Sequence, residues 1–169
     1  MNLLHADFEA ALTEVYPRLR RFAYGLTSQA ADADDLVQRA CERAMRKSDR
    51  FEPGTRFDSW MFRLTRNLWI DTVRASSRRA SREIDAEAGK SVGYDPRPAT
   101  EAAIDLSTAL EAMGHLPEEQ REVVALILID GMGYRETAEL LDLPIGTVSS
   151  RLVRGRKALM ELLGEKDDD

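Results

Sequence analysis

The 169 residues are enough for one domain or two small ones, and with 43% hydrophobic residues the chain has too much apolar material to remain disordered. The net charge of −6 argues on average against a nucleic-acid partner, yet the charge is unevenly spread: Arg43 to Arg82 is rich in arginine against only Asp49, Glu52, Asp58 and Asp71. The longest aliphatic stretch, Val123 to Ile129, is far below the roughly 20 residues that span a bilayer, and Asp7, Glu9 and Glu14 break the order of a signal peptide, so a cytoplasmic protein with no membrane insertion is expected.

Along the chain, Phe8, Leu12, Val15, Tyr16, Leu19, Phe22, Ala23 and Leu26 recur at three- and four-residue steps, which gives a first helix one apolar stripe. A second helix is predicted from about Ala31 to Lys47, with Asp32, Asp34 and Asp35 complementing the positive end of its dipole. Its Cys41 is the single cysteine and reads as a buried, inert thiol. Phe51 to Phe57 contains Pro53 and Gly54 and reads as a loop, after which Asp58 or Ser59 caps a third helix carrying Trp60, Met61, Leu64 and Leu68.

From residue 81 to 103 the periodicity lapses around Gly89, Gly93, Pro96 and Pro98, the composition of a linker. The division is therefore residues 1–80, a linker over 81–103, a second domain over 104–164 and an acidic tail over 165–169. In the second domain Ile104, Leu106, Leu110, Met113 and Leu116 restore the helical period, and Pro117 with Glu118 and Glu119 suits the start of another helix. Two more helices follow. With no period-two segment and no internal repeat, the fold class is all-α, in two small helical domains.

The segment from Gly131 to Leu152 reads as helix, turn, helix. Small Ala138 lets two helices approach, Asp142 stands where the turn requires a left-handed residue and glycine is commoner, and Val148 and Leu152 pack the second helix on the first. On that last helix Ile145, Val148, Leu152, Gly155 and Leu159 share one face, while Ser150, Val153, Arg154 and Lys157 point the other way. From Ile145 to Met160 the helix carries Arg151, Arg154, Arg156 and Lys157 and no acid. Such a face suits the DNA major groove, where arginine grips guanine and flanking cations neutralise phosphate; the plain alternative is a solvated basic face on a helical hairpin.

A second constellation runs from Phe57 to Arg74. As a helix it places Phe57, Met61, Leu64, Leu68 and Thr72 on one side, with Arg63, Arg66, Asn67 and Arg74 roughly opposite. Arginines interleaved with aromatic rings are what single-strand recognition uses: cations hold the backbone while rings or amides engage unstacked bases. Trp60 fits either core or base platform, and Phe62 and Trp69 are open.

Together these segments resemble the extracytoplasmic-function sigma factors of the sigma-70 family. Asp32 to Ala40 is similar to the family's region 2.2, Phe57 to Arg74 to its regions 2.3 and 2.4, and Leu116 to Arg121 with the helix-turn-helix to its region 4. The resemblance implies a non-enzymatic subunit that directs RNA polymerase to promoters, here of a stress-response regulon. It implies that Asp34, Asp35, Leu36 and Gln38 dock on the β′ clamp helices of core polymerase, with Arg39 standing where an acid is common, and that region 4 meets the β flap. It implies that Phe57, Trp60, Arg63, Arg66, Asn67, Asp71 and Arg74 serve the minus-10 element, the bound flipped base offsetting the few kcal/mol of unstacking. Ser149, Ser150, Val153 and Arg154 would read the minus-35 element, with Arg151, Arg156 and Lys157 on phosphates, and an anti-sigma factor would silence the protein. The rival is a free-standing helix-turn-helix regulator, which accounts for the second half alone. An enzyme finds no support: with His5 and His115 the only histidines there is no zinc-ligand cluster, and no nucleophile–base set or phosphate-binding glycine loop is present, so no cofactor or metal is implied.

Overall fold

Helix α1 (Leu3–Thr27) lies at the centre of the molecule and touches elements of both halves of the chain. The computed structural model describes residues 3–52, 54–82 and 101–164, and these form helices, turns and short irregular links. Of the predicted stripe on α1, Phe8, Val15, Leu19, Phe22, Ala23 and Leu26 are buried, whereas Tyr16 is 41% exposed at its edge. Ser28 at φ 61° turns the chain into α2 (Ala30–Arg46), where Ala33, Leu36, Val37, Ala40 and Ala44 face the core. After a short 3-10 turn at Ser48–Arg50 comes α3 (Phe57–Arg82).

Helix α3 starts one residue before the predicted caps. Asp58 sits inside its first turn, where Oδ1 accepts the Ser59 N–H at 2.8 Å and the negative charge complements the helix dipole. The helix continues to Arg82, and most of the expected linker lies outside the described residues, as does the acidic tail.

The second half opens with α4 (Glu101–His115) and α5 (Glu118–Val124), the latter entered through Pro117. Where one helix was expected, α5 widens into a π-helical stretch at Ala125–Ile129, which closes with Asp130 N–H on the Ala125 carbonyl and Met132 N–H on that of Leu126. Helices α6 (Tyr134–Leu141) and α7 (Ile145–Leu163) complete it. Between them Asp142 adopts φ 55° and ψ 51°, the left-handed conformation that the turn was expected to need. Val148 and Leu152 are buried against α6 and α5, and Gly155 makes a close approach possible: a Cβ there would lie 2.7 Å from Val124 Cγ2.

The buried apolar residues of both halves form one continuous core, running from Phe8 through Phe22 and Phe62 to Val124, Leu126 and Val148. The two helical domains are packed directly on each other.

Candidate nucleic-acid and partner interfaces

Helix α7 presents its outward face to solvent as its spacing predicts. Ser150, Val153, Arg154, Arg156 and Lys157 are exposed, Val153 at 63%, and Ser149 is half-buried. The Arg154 Nε donates to the Ser150 carbonyl of its own helix at 3.3 Å, and none of Arg154, Arg156 and Lys157 has an ion-pair partner among the described residues. The face is an exposed basic strip whose charges are available to a phosphate backbone. Two residues depart from the expected pattern. Ile145 is 47% exposed, because at the first position of α7 it overhangs the core. Arg151 does not join the outward strip: its guanidinium turns inward to Glu119 at 3.0 Å and Glu122 at 3.6 Å, leaving its side chain 17% exposed.

On α3 the buried stripe is Met61, Phe62, Thr65 and Trp69, rotated from the expected Phe57, Met61, Leu64, Leu68 and Thr72. Leu64 and Leu68 are half-buried and Thr72 is exposed. The rotation follows from having neighbours on more than one side, with α1 and α2 on one flank and α6 on another. Phe62, open in the sequence, packs 5.1 Å from the Phe22 ring, and Trp69 lies beneath the Arg121 guanidinium at 5.7 Å. Trp60 and Phe57 join Phe8 and Phe51 in an aromatic cluster with centroids 5.1 to 6.3 Å apart, so Trp60 is mainly a packing residue with one partly open edge.

Beside that cluster, α2 and α3 bound a groove of about 500 Å³. Trp60, Arg63, Arg66, Asn67, Asp71 and Arg74 all line it, so the structure brings most of the residues expected to act at the minus-10 element into one place. Arg43 and Lys47 reach it from α2; the basic run announced their charge, but their role depends on how α2 docks, which local spacing does not reveal. Arg66 is only partly available there, because its guanidinium forks onto the buried Glu122, with Nε to Oε2 at 2.6 Å and Nη2 to Oε1 at 3.2 Å.

At the start of α2, Asp34, Asp35 and Gln38 are exposed and form an acidic, polar ridge. Asp34 pairs with Arg20 at 2.7 Å, and that hydrogen bond holds its carboxyl below the usual carboxylate range. Gln38 donates to Glu42 at 3.2 Å. Leu36 is 3% exposed and cannot present its side chain to a partner; it belongs to the core that fixes the ridge. Arg39 bridges Asp35 at 3.6 Å and the Thr72 hydroxyl at 2.9 Å, joining α2 to α3. Cys41 is half-buried, and desolvation pushes its thiol up, away from the thiolate form.

Residues 12–79 match the family model described as sigma-70 region 2, and residues 107–159 that described as sigma-70, region 4. Among curated proteins, the chain is 34% identical over 148 residues to the ECF RNA polymerase sigma factor EcfG of Rhodopseudomonas palustris, covering 87% of this chain and 80% of the relative. It is 29% identical to ECF RNA polymerase sigma factor SigW of Bacillus subtilis, with 93% and 89% covered. Among solved structures, the sigma factor RpoE of Bartonella quintana, crystallised with the anti-sigma factor NepR, superposes with a TM-score of 0.78 at 34% identity, covering 96% of this chain and 99% of that one. CnrH in complex with the cytosolic domain of CnrY gives 0.60 at 26% identity, covering 96% and 86%.

Proposed function

The chain belongs to the extracytoplasmic-function RNA polymerase sigma factors, and we propose that within it three surfaces divide the work of promoter-directed initiation. The outward face of α7 enters the major groove at the minus-35 element. Arg154 and Val153 reach base edges, Ser149 and Ser150 adapt to them, and Arg156 and Lys157 hold phosphates. The groove between α2 and α3 takes the opened minus-10 strand, with Asn67 and Asp71 near an extruded base and Arg63, Arg66 and Arg74 on the backbone. The ridge of Asp34, Asp35 and Gln38 docks on the β′ clamp helices of core polymerase, while the second domain meets the β flap. Residues 1–80 and 104–164 are the corresponding units, and 81–103 tether them.

The observation that carries this reading is the exposed basic strip of α7, without an ion-pair partner for Arg154, Arg156 or Lys157 among the described residues and set on the Asp142 turn, in a chain that also carries a basic groove on its other domain. Two modest DNA contacts held on one enzyme act at high effective concentration toward a single promoter. The net charge of −6 weakens stray contact with DNA away from that enzyme. RNA synthesis stays in the polymerase; the chain itself is not an enzyme, needs no cofactor and works in the cytoplasm. Likeness to RpoE, solved with NepR, favours an anti-sigma factor as a further partner.

Transcription by purified core polymerase on a randomised promoter pool tests the reading. Addition of the protein is expected to enrich one paired minus-35 and minus-10 sequence. A free-standing regulator would instead shift operator DNA without polymerase and leave transcription from the pool unselected. Asp35→Arg is expected to weaken core binding, and unchanged affinity would remove the docking assignment.

A further inference from the structure

Arg43 and Asp71 line both the groove read as the minus-10 site and a second groove of about 770 Å³ beside it, whose walls also include Arg39, Arg46, Thr72 and Arg79. The wall shared by the two grooves is a turn of α3 facing a turn of α2. It lies where the hold of the core on α3 runs out. Trp69 is the last buried residue of the helix; Ile70, Val73 and Ala75 are half-buried, while Asp71, Thr72, Arg74 and every residue from Ser76 to Arg82 are exposed. Apolar packing therefore grips the first half of α3 firmly and the turn that carries Asp71 and Arg74 only in part.

A polar link takes over at that turn. Arg39 Nη2 donates to Thr72 Oγ1 at 2.9 Å, and Thr72 Oγ1 donates to the Leu68 carbonyl of its own helix at 2.9 Å. A hydroxyl has one hydrogen to give, so the first bond takes a lone pair and the second the proton, and together they hold the Thr72 side chain in one orientation. From the other side Arg39 is steered by Asp35, one turn earlier on α2: Asp35 Oδ2 lies 3.6 Å from Arg39 Nε, an i, i+4 ion pair beyond hydrogen-bond length. That Nε is buried with no hydrogen-bond partner, so Thr72 is the group that fixes the guanidinium. Among the described residues this is the one side-chain hydrogen bond between α2 and α3.

We propose that Arg39 is a positioning residue for the minus-10 groove. It touches no base. By holding Thr72 it fixes the rotation of α3 at the neighbouring Asp71, and so keeps Asp71 and Arg74 in the wall that Arg43 reaches from α2. Successive residues stand about 100° apart around a helix axis, so a roll of a fraction of that angle would turn Asp71 toward the second groove, which it already borders. The proposal rests on the reading of this groove as the minus-10 site and deepens it.

Holoenzyme assembled from core polymerase and the full-length chain tests this, with a fluorescent single-stranded minus-10 oligonucleotide as the probe. Thr72→Val keeps the size of the side chain and every charge while removing the acceptor; Arg39→Met keeps an apolar stem and removes the donors. Each is expected to weaken oligonucleotide binding about three- to tenfold, the range of one hydrogen bond, and the double variant no further, because both remove the same bond. Thr72→Ser, which keeps the hydroxyl, should bind like the unaltered chain, and the core affinity of Thr72→Val should be unchanged. Oligonucleotide binding by Thr72→Val equal to that of the unaltered chain overturns the proposal: Arg39 would then act through its charge alone, or, if only the unfolding midpoint moved, through stability alone. Losses that add in the double variant, or a Thr72→Ser loss as large as that of Thr72→Val, overturn it as well. If holoenzyme with the unaltered chain does not bind the oligonucleotide, the fault lies instead with the reading of the groove.

Discussion

Arg154 and Arg66 stand on helices whose apolar stripes are evident in the sequence, and both were expected to face outward. Arg154 lies in solvent, with the Ser150 carbonyl of its own helix as its hydrogen-bond acceptor, whereas Arg66 is forked onto a buried carboxylate 56 residues away. Helix α7 packs one face on its own domain and keeps the other free, while α3 is held by α1 and α2 and again by α6. The contrast teaches that periodicity finds the face a helix turns from its first neighbour. It says nothing of a second neighbour supplied by a distant part of the chain.

The largest effect is expected at the residue that makes the two surfaces differ. Glu122→Leu strands the guanidiniums of Arg66 and Arg151 without their buried partner, and breaking such a pair costs about 3–5 kcal/mol. Urea unfolding of the variant should show that loss; a change under about 1 kcal/mol would mean that solvent already satisfies both arginines. Arg154→Ala should do the opposite, leaving the unfolding midpoint in place while removing base contacts worth about 1–3 kcal/mol, a fall of roughly five- to hundredfold in transcription from minus-35-dependent promoters. Unchanged transcription would take Arg154 out of the reading face. Arg66→Ala should lower stability in urea unfolding, because its side chain is paired with Glu122, and on the role proposed for it should lower minus-10-dependent transcription as well.

How much of this was legible follows the same division. The all-α class, the helix-turn-helix, the left-handed Asp142 and the outward strip of α7 rest on spacing within one segment, and sequence spacing reports such local geometry directly. The rotation of the α3 stripe onto Phe62, Thr65 and Trp69, the burial of Leu36 and the inward turn of Arg151 depend on what packs alongside. Arg18 and Asp130 are the extreme case, a forked pair 112 residues apart whose members look like ordinary surface charges in sequence. The π-helical stretch at Ala125–Ile129 was hidden as well, since a run of aliphatic residues has the same composition whichever helical pitch it takes.

A smaller effect is expected from pH. Burial opposes the charge on Asp58, but hydrogen bonds from Arg56, the Ser59 N–H and Arg18 outweigh it and hold the carboxyl below its ordinary value of 3.8. A lowered folded value stabilises the protein above that ordinary value, and the contribution disappears as the pH falls below it. Asp58→Asn should therefore be less stable than the unaltered chain near neutral pH, with the difference closing as the pH falls from the ordinary value of 3.8 through the lower folded value in paired denaturation series. A difference that stays constant with pH would show that Asp58 acts through its shape and not its charge.

The smallest effect separates the rim of the contact between the two domains from its centre. Arg56 and Glu136 meet at 2.6 Å, as short as Arg66 and Glu122, but their side chains are 60% and 27% exposed against 23% and 4%. Water and salt reach the outer pair, and such contacts are worth roughly 0.2–1 kcal/mol, falling further once the screening length drops below about 10 Å near 0.1 M salt. Glu136→Gln should thus shift the unfolding midpoint only slightly in dilute buffer and not at all at high salt, whereas the cost of Glu122→Leu should persist in both. An equal salt response from the two variants would mean that the Glu122 site is as wet as the rim, and the difference drawn here between α3 and α7 would then reduce to one of surface charge.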